Sequence, residues 1–217
     1  MSVLGRVLPH FMHSVCRIPT VLYCSAKYTV TMAKKTAILL LADGSEEMEA
    51  VITTDVLRRG GIDVTVAGLS DSTCIKCSRD VKICVDKKLQ DATDKKYDVV
   101  ILPGGLGGSK AFASSAEVGK LLQEQEKENR VIAAICAAPT ALKAHGIAKG
   151  KQITSYPAMK AELADDYKYL EDKVVIDGNL ITSRGPATAF AFGLAIVEKL
   201  VDKKTADDVA KAMLYSQ

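Results

Sequence analysis

The stretch Val131–Leu142, V-I-A-A-I-C-A-A-P-T-A-L, constrains the chain most. Val131–Ile135 is an apolar run of strand length, the pattern of a strand buried on both faces. Pro139 suits the first turn of a helix, where its missing N–H leaves nothing unsatisfied. Cys136 falls between the two, followed by Ala137 and Ala138. A strand that turns at once into a helix lifts one side chain above a sheet, and small neighbours let the backbone make that turn. A cysteine there faces a helix N-terminus, whose partial positive charge favours the thiolate. The same residue also suits a buried core position, where free cysteines are common. The stretch predicts strand, elbow and helix, and leaves both readings of Cys136 open.

The flanking sequence repeats the alternation of strand and helix. Thr36–Leu41 reads as a buried strand, and Ala42–Ser45 as a turn. Glu46 and Glu47 open a helix that ends at Gly60-Gly61, their charges suiting its dipole. Glu49, Ile52, Thr53 and Val56 share one face of that helix, which places a carboxyl group on the core stripe. Unpaired there, Glu49 would be desolvated and its pKa raised; at the stripe's end it would reach solvent instead. Ile62–Gly68 and Val99–Leu102 are further strands, so the units read as βαβ and the sheet as parallel. Cys77–Val85 alternates and suits an excursion strand or hairpin. Pro103–Gly108 is glycine-rich, which lets backbone N–H groups approach a ligand. It matches neither a phosphate-binding loop nor a dinucleotide fingerprint. Downstream, helices are expected near Ala116–Lys127, over Ala187–Leu200 and over Thr205–Leu214, the last with Thr205 and Asp208 at capping-box spacing. Ile153–Tyr156 reads as a short strand or loop, and Val174–Thr182 as a hairpin turning at Asp177-Gly178. The expected fold is a doubly wound parallel α/β sheet.

Charge divides the chain of 217 residues unevenly. Arg6, Arg17, Lys27, Lys34 and Lys35 precede the first acidic residue, Asp43. The remaining body carries 24 basic against 26 acidic residues, a balance that offers no nucleic-acid surface. Residues 1–32 form an extension that is basic, contains serine and lacks acid, the composition of a mitochondrial targeting segment; a tail without function is the alternative. Met32 would serve as a second start and give a cytoplasmic form. Residues 33–217 then make one α/β domain. No apolar run is long enough to span a membrane. Of the six cysteines, Cys74 and Cys77 have C-x-x-C spacing. No second pair completes a zinc site, and no helix follows as in a thioredoxin motif. They read as ordinary thiols of a reducing compartment, and neither a metal nor an organic cofactor is expected.

Ligands of open α/β sheets bind beyond the carboxyl ends of the strands. The loop before Glu49, the Gly104-Gly105 turn and the Cys136 elbow all lie at that end. A nucleophile, an acid–base group and free N–H donors would meet there. A Cys–His protease is disfavoured. The body's one histidine, His145, lies about two helical turns past the elbow, roughly 10 Å or more away.

Five segments carry a resemblance in one register. They are Leu41–Glu49 (L-A-D-G-S-E-E-M-E), Cys77–Asp80 (C-S-R-D), Leu102–Gly105 (L-P-G-G), Ala133–Thr140 (A-A-I-C-A-A-P-T) and Thr182–Pro186 (T-S-R-G-P). From about Lys34 to its end the chain resembles the parkinsonism-associated protein deglycase family of the ThiJ/PfpI superfamily. The resemblance implies a flavodoxin-like fold and a homodimer using the Glu46–Arg59 helix. It implies Cys136 as nucleophile, a protonated Glu49 bonded to it, oxyanion-type N–H donors at Gly105 and Ala137, and Arg79 close by. It also implies glutathione-independent glyoxalase or deglycase activity on α-oxoaldehydes such as methylglyoxal and on glycated side chains. Oxidative-stress protection and chaperone behaviour go with it; the expected location, from the extension and Met32, is mitochondrial or cytoplasmic, with the nucleus open. The rival function is a redox sensor in which Cys136 oxidises to a sulfinate. Two departures stand out: Tyr156 replaces the histidine that several members carry before Pro157, and the acid-free extension lies outside the pattern. Electrostatics predicts a resting thiolate at Cys136 beside a neutral Glu49, since two anions in contact disfavour each other.

Overall fold

The computed structural model describes residues 33–216. The targeting segment expected in residues 1–32 lies outside them.

Strand β1 (Thr36–Leu41) is followed by helix α1 (Glu47–Arg59) and strand β2 (Asp63–Gly68). An excursion hairpin, β3 (Cys74–Lys76) and β4 (Lys82–Cys84), precedes the short β5 (Lys87–Lys88). Next come β6 (Val99–Leu102), α2 (Leu106–Ser114), α3 (Ala116–Lys127), β7 (Val131–Ile135) and α4 (Pro139–Ala144). A two-stranded ladder of β8 (Gln152–Ile153) and β9 (Lys168–Tyr169) flanks α5 (Lys160–Leu163). The chain then forms β10 (Val174–Asp177), β11 (Leu180–Ser183), α6 (Ala189–Leu200) and α7 (Lys203–Ala212).

The main sheet has the order β10-β11-β7-β6-β1-β2-β5, parallel throughout except for the antiparallel edge strand β10. This is the expected flavodoxin-like architecture, with helices on both faces. Side chains of β1 alternate between the two cores, as strand geometry requires. Ala37, Leu39 and Leu41 pack with α1, α6 and α7, while Ile38 and Leu40 pack with α2, α3 and α4. Five consecutive buried residues in β7 explain why that strand reads as an unbroken apolar run. Gly60 and Gly193 seat α1 against α6: a Cβ on either would lie within 3 Å of Val197 or Val56 side chains.

Four local expectations need correction. The excursion hairpin begins at Cys74, three residues earlier than its alternation suggests, and Cys77–Val81 is its tip, turned by Asp80 in the left-handed region (φ 65°). Its start is masked because the three-residue strands are too short to show a period. The glycine-rich run is not only loop: Gly105 (φ 82°) caps α2, and Gly107 and Gly108 continue it. Those glycines pack on Asp43, Gly44 and Ser45, where a side chain would collide. The Ala187 helix starts at Ala189, after a 3₁₀ turn over Pro186–Thr188. The last helix is capped by Asp202, which accepts from Thr205 N–H at 2.7 Å, while Asp208 pairs with Lys204. An N-cap carboxylate three residues upstream satisfies an orphan donor of the first turn, so the helix begins earlier.

Candidate functional site

The carboxyl ends of β1, β6 and β7 converge on one cleft of about 640 Å³. Its lining includes Glu46, Arg79, Gly105, Cys136, Ala137 and Tyr156. The site is built from the elbow outward. Cys136 has φ 64°, a conformation that non-glycine residues adopt only where the surroundings enforce it. The enforcement is visible: Cys136 N–H donates to Ser183 O (3.0 Å), and Cys136 O accepts from Tyr156 N–H (2.8 Å). Thr140 Oγ1 donates to Ala137 O at 2.7 Å and fixes the start of α4.

Glu49 sits on the buried face of α1, fully shielded from solvent, as its place on the core stripe predicts. Its Oε2 accepts from Gly104 N–H at 2.6 Å, and its buried Oε1 has no hydrogen-bond partner. The Cys136 thiol lies against this carboxyl group. Gly104 explains how close the three come. A Cβ there would be 2.5 Å from Cys136 Cβ, 2.8 Å from Glu49 Oε2 and 3.0 Å from the sulfur.

Burial pushes the Glu49 carboxyl up to about 7, against the opposing bonds from Gly104 and Cys136. Burial and then the Glu49 charge push the Cys136 thiol up to about 12, while N–H groups of Gly105 and Ala137 oppose this. The first of these shifts matches the sequence argument; the second corrects it. A helix N-terminus alone favours a thiolate, but here desolvation and an acid in contact outweigh it. The pair therefore holds a proton through neutral pH, and the thiolate form requires that proton to sit on Glu49.

The other expected residues fall as follows. Gly105 and Ala137 direct N–H groups at the Cys136 sulfur. Arg79 lines the cleft, its main-chain N–H held by Glu47 (2.9 Å) and its guanidinium donating to Ser78 O (3.1 Å). It borders the Cys136–Glu49 pair without joining their hydrogen bonds. His145 caps the far end of α4 and bonds Phe112 O (2.8 Å), a structural role. Tyr156 is exposed and lines the cleft.

Sequence reasoning missed the wall that holds Arg79. Ser78 Oγ donates to Glu46 (2.6 Å) and Glu47 (2.9 Å), and Ser78 N–H donates to Ser45 O. Desolvation tends to raise the Glu47 carboxyl, but bonds from its own N–H, Ser78 and Arg79 hold it below its ordinary range. The signal was present in the adjacent acids Glu46-Glu47 and the C-S-R-D segment, but their meeting depends on the hairpin's fold.

Comparison with known proteins decides the family. Residues 35–199 match the model of the DJ-1/PfpI family. The chain belongs to the DJ-1/PfpI family. Protein DJ-1alpha of Drosophila melanogaster is 51% identical over 218 residues, covering 100% of this chain and 98% of its own length. That match includes the extension, so the extension is not foreign to every member of the family. A Caenorhabditis elegans member named glutathione-independent glyoxalase DJR-1.2 is 42% identical over 187 residues, covering 85% of this chain and 99% of its own. The crystal structure of Drosophila melanogaster DJ-1beta superposes with a TM-score of 0.83 at 55% identity, covering 85% of this chain and 100% of that one. The DJ-1/PfpI fold and the order of its segments thus agree with the resemblance read from the sequence.

Proposed function

We propose that this protein is a cysteine-dependent, glutathione-independent glyoxalase and deglycase acting on small α-oxoaldehydes such as methylglyoxal and on their early adducts with side chains. The observation that carries this reading is the buried Glu49 carboxyl, with one oxygen bonded to Gly104 and the other unpartnered, against the thiol at the floor of the cleft. The name of the C. elegans relative, a glutathione-independent glyoxalase, supports the reaction class.

In this mechanism Glu49 takes the thiol proton, and the Cys136 sulfur adds to the aldehyde carbon to give a hemithioacetal. N–H groups of Gly105 and Ala137 stabilise the developing oxyanion. Glu49 returns the thiol's proton to the adduct's oxygen and then, as a carboxylate, moves the hydrogen of the former aldehyde carbon to its neighbour through an ene-diol, leaving a thioester. A carboxyl pKa near 7 suits a group that must both accept and return a proton. Water hydrolyses the thioester to a 2-hydroxy acid and restores the thiol. Arg79 sits at the mouth, where it would meet a carbonyl or carboxylate of the substrate. Deglycation uses the same attack on the same carbon.

The test is methylglyoxal turnover by purified protein without glutathione. Many product molecules per protein support the enzyme. Consumption that stops at one equivalent supports the sensor reading, in which the same N–H groups and Glu49 hold the oxygens of a Cys136 sulfinate.

Two further expectations belong to this proposal. The chain assembles as a two-fold dimer through the outer face of α1, where Met48 and Val51 are 51% and 54% exposed; light scattering at micromolar concentration should give twice the chain mass. Residues 1–31 direct a fluorescent reporter to mitochondria, with a cytoplasmic pool from Met32; a uniformly cytoplasmic reporter overturns it. Among the described residues no helix is long and apolar enough to cross a membrane.

A further inference from the structure

Cys74 and Cys84 are placed by the fold in a way that their spacing in sequence conceals. In the register of the excursion hairpin, Cys74 lies directly opposite Cys84. Val85 N–H donates to Thr73 O (2.9 Å) and Cys77 N–H to Val81 O (2.8 Å), so the ladder bonds bracket the Cys74–Cys84 pair rather than join it. That makes it a non-hydrogen-bonded pair, the closer kind, with Cα atoms about 4.5 Å apart. Disulfides need Cα atoms at roughly 4.4–6.8 Å, so the backbone already satisfies the requirement. The two thiols are in hydrogen-bond contact, and both are free. In the single chain Cys84 is exposed and Cys74 half-buried, and Cys84 shares a groove with Val51 of α1, the helix of the proposed dimer contact. Lys76 and Lys82, the next pair on the same face, are exposed cations beside the sulfurs; Lys76 is shared with Asp80. The Cys74 thiol in contact pushes Cys84 up from its ordinary value, so the pair rests protonated until one thiol ionises. Cys77, which completes the apparent C-x-x-C, is excluded: it is buried on the opposite face, and burial with Glu47, Glu46 and Asp43 pushes its thiol up to about 11.

We propose that Cys74 and Cys84 form a second redox site, a dithiol that hydroperoxides convert reversibly to a cross-strand disulfide. One thiolate of the pair attacks the peroxide O–O bond, becomes a sulfenic acid and expels hydroxide. The other thiol attacks that sulfur, forms the S–S bond and releases water. The two thiols lose two electrons and two protons, and hydrogen peroxide becomes two waters. The site has a structural link to the cleft. Between the two strands the chain carries Ser78 and Arg79, and Lys76 bonds the turn before α1 through its N–H to Asp43 Oδ1 (2.9 Å) and its carbonyl to Gly44 N–H (2.8 Å). The disulfide would therefore staple the base of the hairpin whose tip forms one cleft wall. The site does not depend on the chemistry of Cys136.

The experiment oxidises full-length Cys136→Ser protein with stoichiometric hydrogen peroxide, blocks remaining thiols, and maps it by non-reducing tryptic mass spectrometry. Cleavage after Lys76, Arg79 and Lys82 puts Cys74, Cys77 and Cys84 on three different peptides, so the linkage is unambiguous. The expected product joins the Cys74 and Cys84 peptides with loss of two hydrogen masses and disappears on dithiothreitol treatment. Under excess peroxide, which supplies the two equivalents a thiol needs to become a sulfinic acid, Cys74→Ser should carry Cys84 on to that irreversible state. A Cys84–Cys84 link between copies, a link to Cys77, or equal over-oxidation of Cys84 with and without Cys74 would each overturn the proposal.

Discussion

Cys136 lies at the inner end of a parallel strand with a carboxyl group against its sulfur, whereas Cys84 stands exposed on an edge hairpin with a second thiol opposite. At Cys136 the neighbouring group is an acid that can hold the thiol's proton and return it. At Cys84 the neighbouring group is a thiol, which can only share a proton or form a bond. The first arrangement suits repeated addition to a carbonyl, the second a two-electron oxidation. Reactivity of a thiol here follows from its partner and its burial, not from the elbow or the spacing alone.

The contrast can be broken most sharply at the nucleophile. Cys136→Ser should lower methylglyoxal turnover by on the order of 10³ or more, because a hydroxyl at this site has no base strong enough to activate it. Next comes Glu49→Gln, which should cost about 10²–10⁴ in kcat. It should also shift the pH profile of Cys136 alkylation downward, since the Glu49 charge that raises the thiol is gone, and leave that of Cys84 unmoved. Peptide-resolved alkylation rates measure both cysteines in one experiment, and an unchanged Cys136 profile would remove Glu49 from the pair.

Stability against pH gives a third, smaller effect. Glu49 ionises near its ordinary 4.5 when unfolded and near 7 when folded. Between those values the folded state binds more protons, so stability falls as pH rises through that window. Set against Glu49→Gln, the wild type should lose about 3 kcal/mol between pH 4.5 and 7, at 1.36 kcal/mol per unit. Chemical denaturation at the two pH values checks the sign. The smallest effect is expected for Cys84→Ser, an exposed position: stability within about 0.5 kcal/mol of wild type and turnover unchanged. A large loss of turnover there would erase the distinction between the two thiols.

Much of this was legible in the sequence. The buried run Val131–Ile135, Pro139 and the helical period around Glu49 placed Cys136 at the turn between β7 and α4 and Glu49 on the buried face of α1, because both signals are local and strongly periodic. The direction of the thiol's shift was not legible. It depends on how deeply Cys136 is desolvated, and Gly104 sets that by letting three groups close in. The Cys74–Cys84 pairing was hidden for a related reason: strand register relates residues ten apart, while the eye is drawn to the C-x-x-C three apart. Helix α2 was obscured because its first turn is written in glycines, whose smallness serves packing on Asp43–Ser45 rather than flexibility.

The left-handed backbone at Cys136 has a consequence for the order in which the protein is made. Its N–H and carbonyl are held by Ser183 and Tyr156, both of which emerge from the ribosome later than Cys136 itself. A nascent chain therefore carries the sulfur without the elbow, the acid contact secured, or the donors aimed at it. The elbow is assembled only when nearly the whole domain has been translated and β11 has joined the sheet, so unfinished chains do not present the sulfur in that setting.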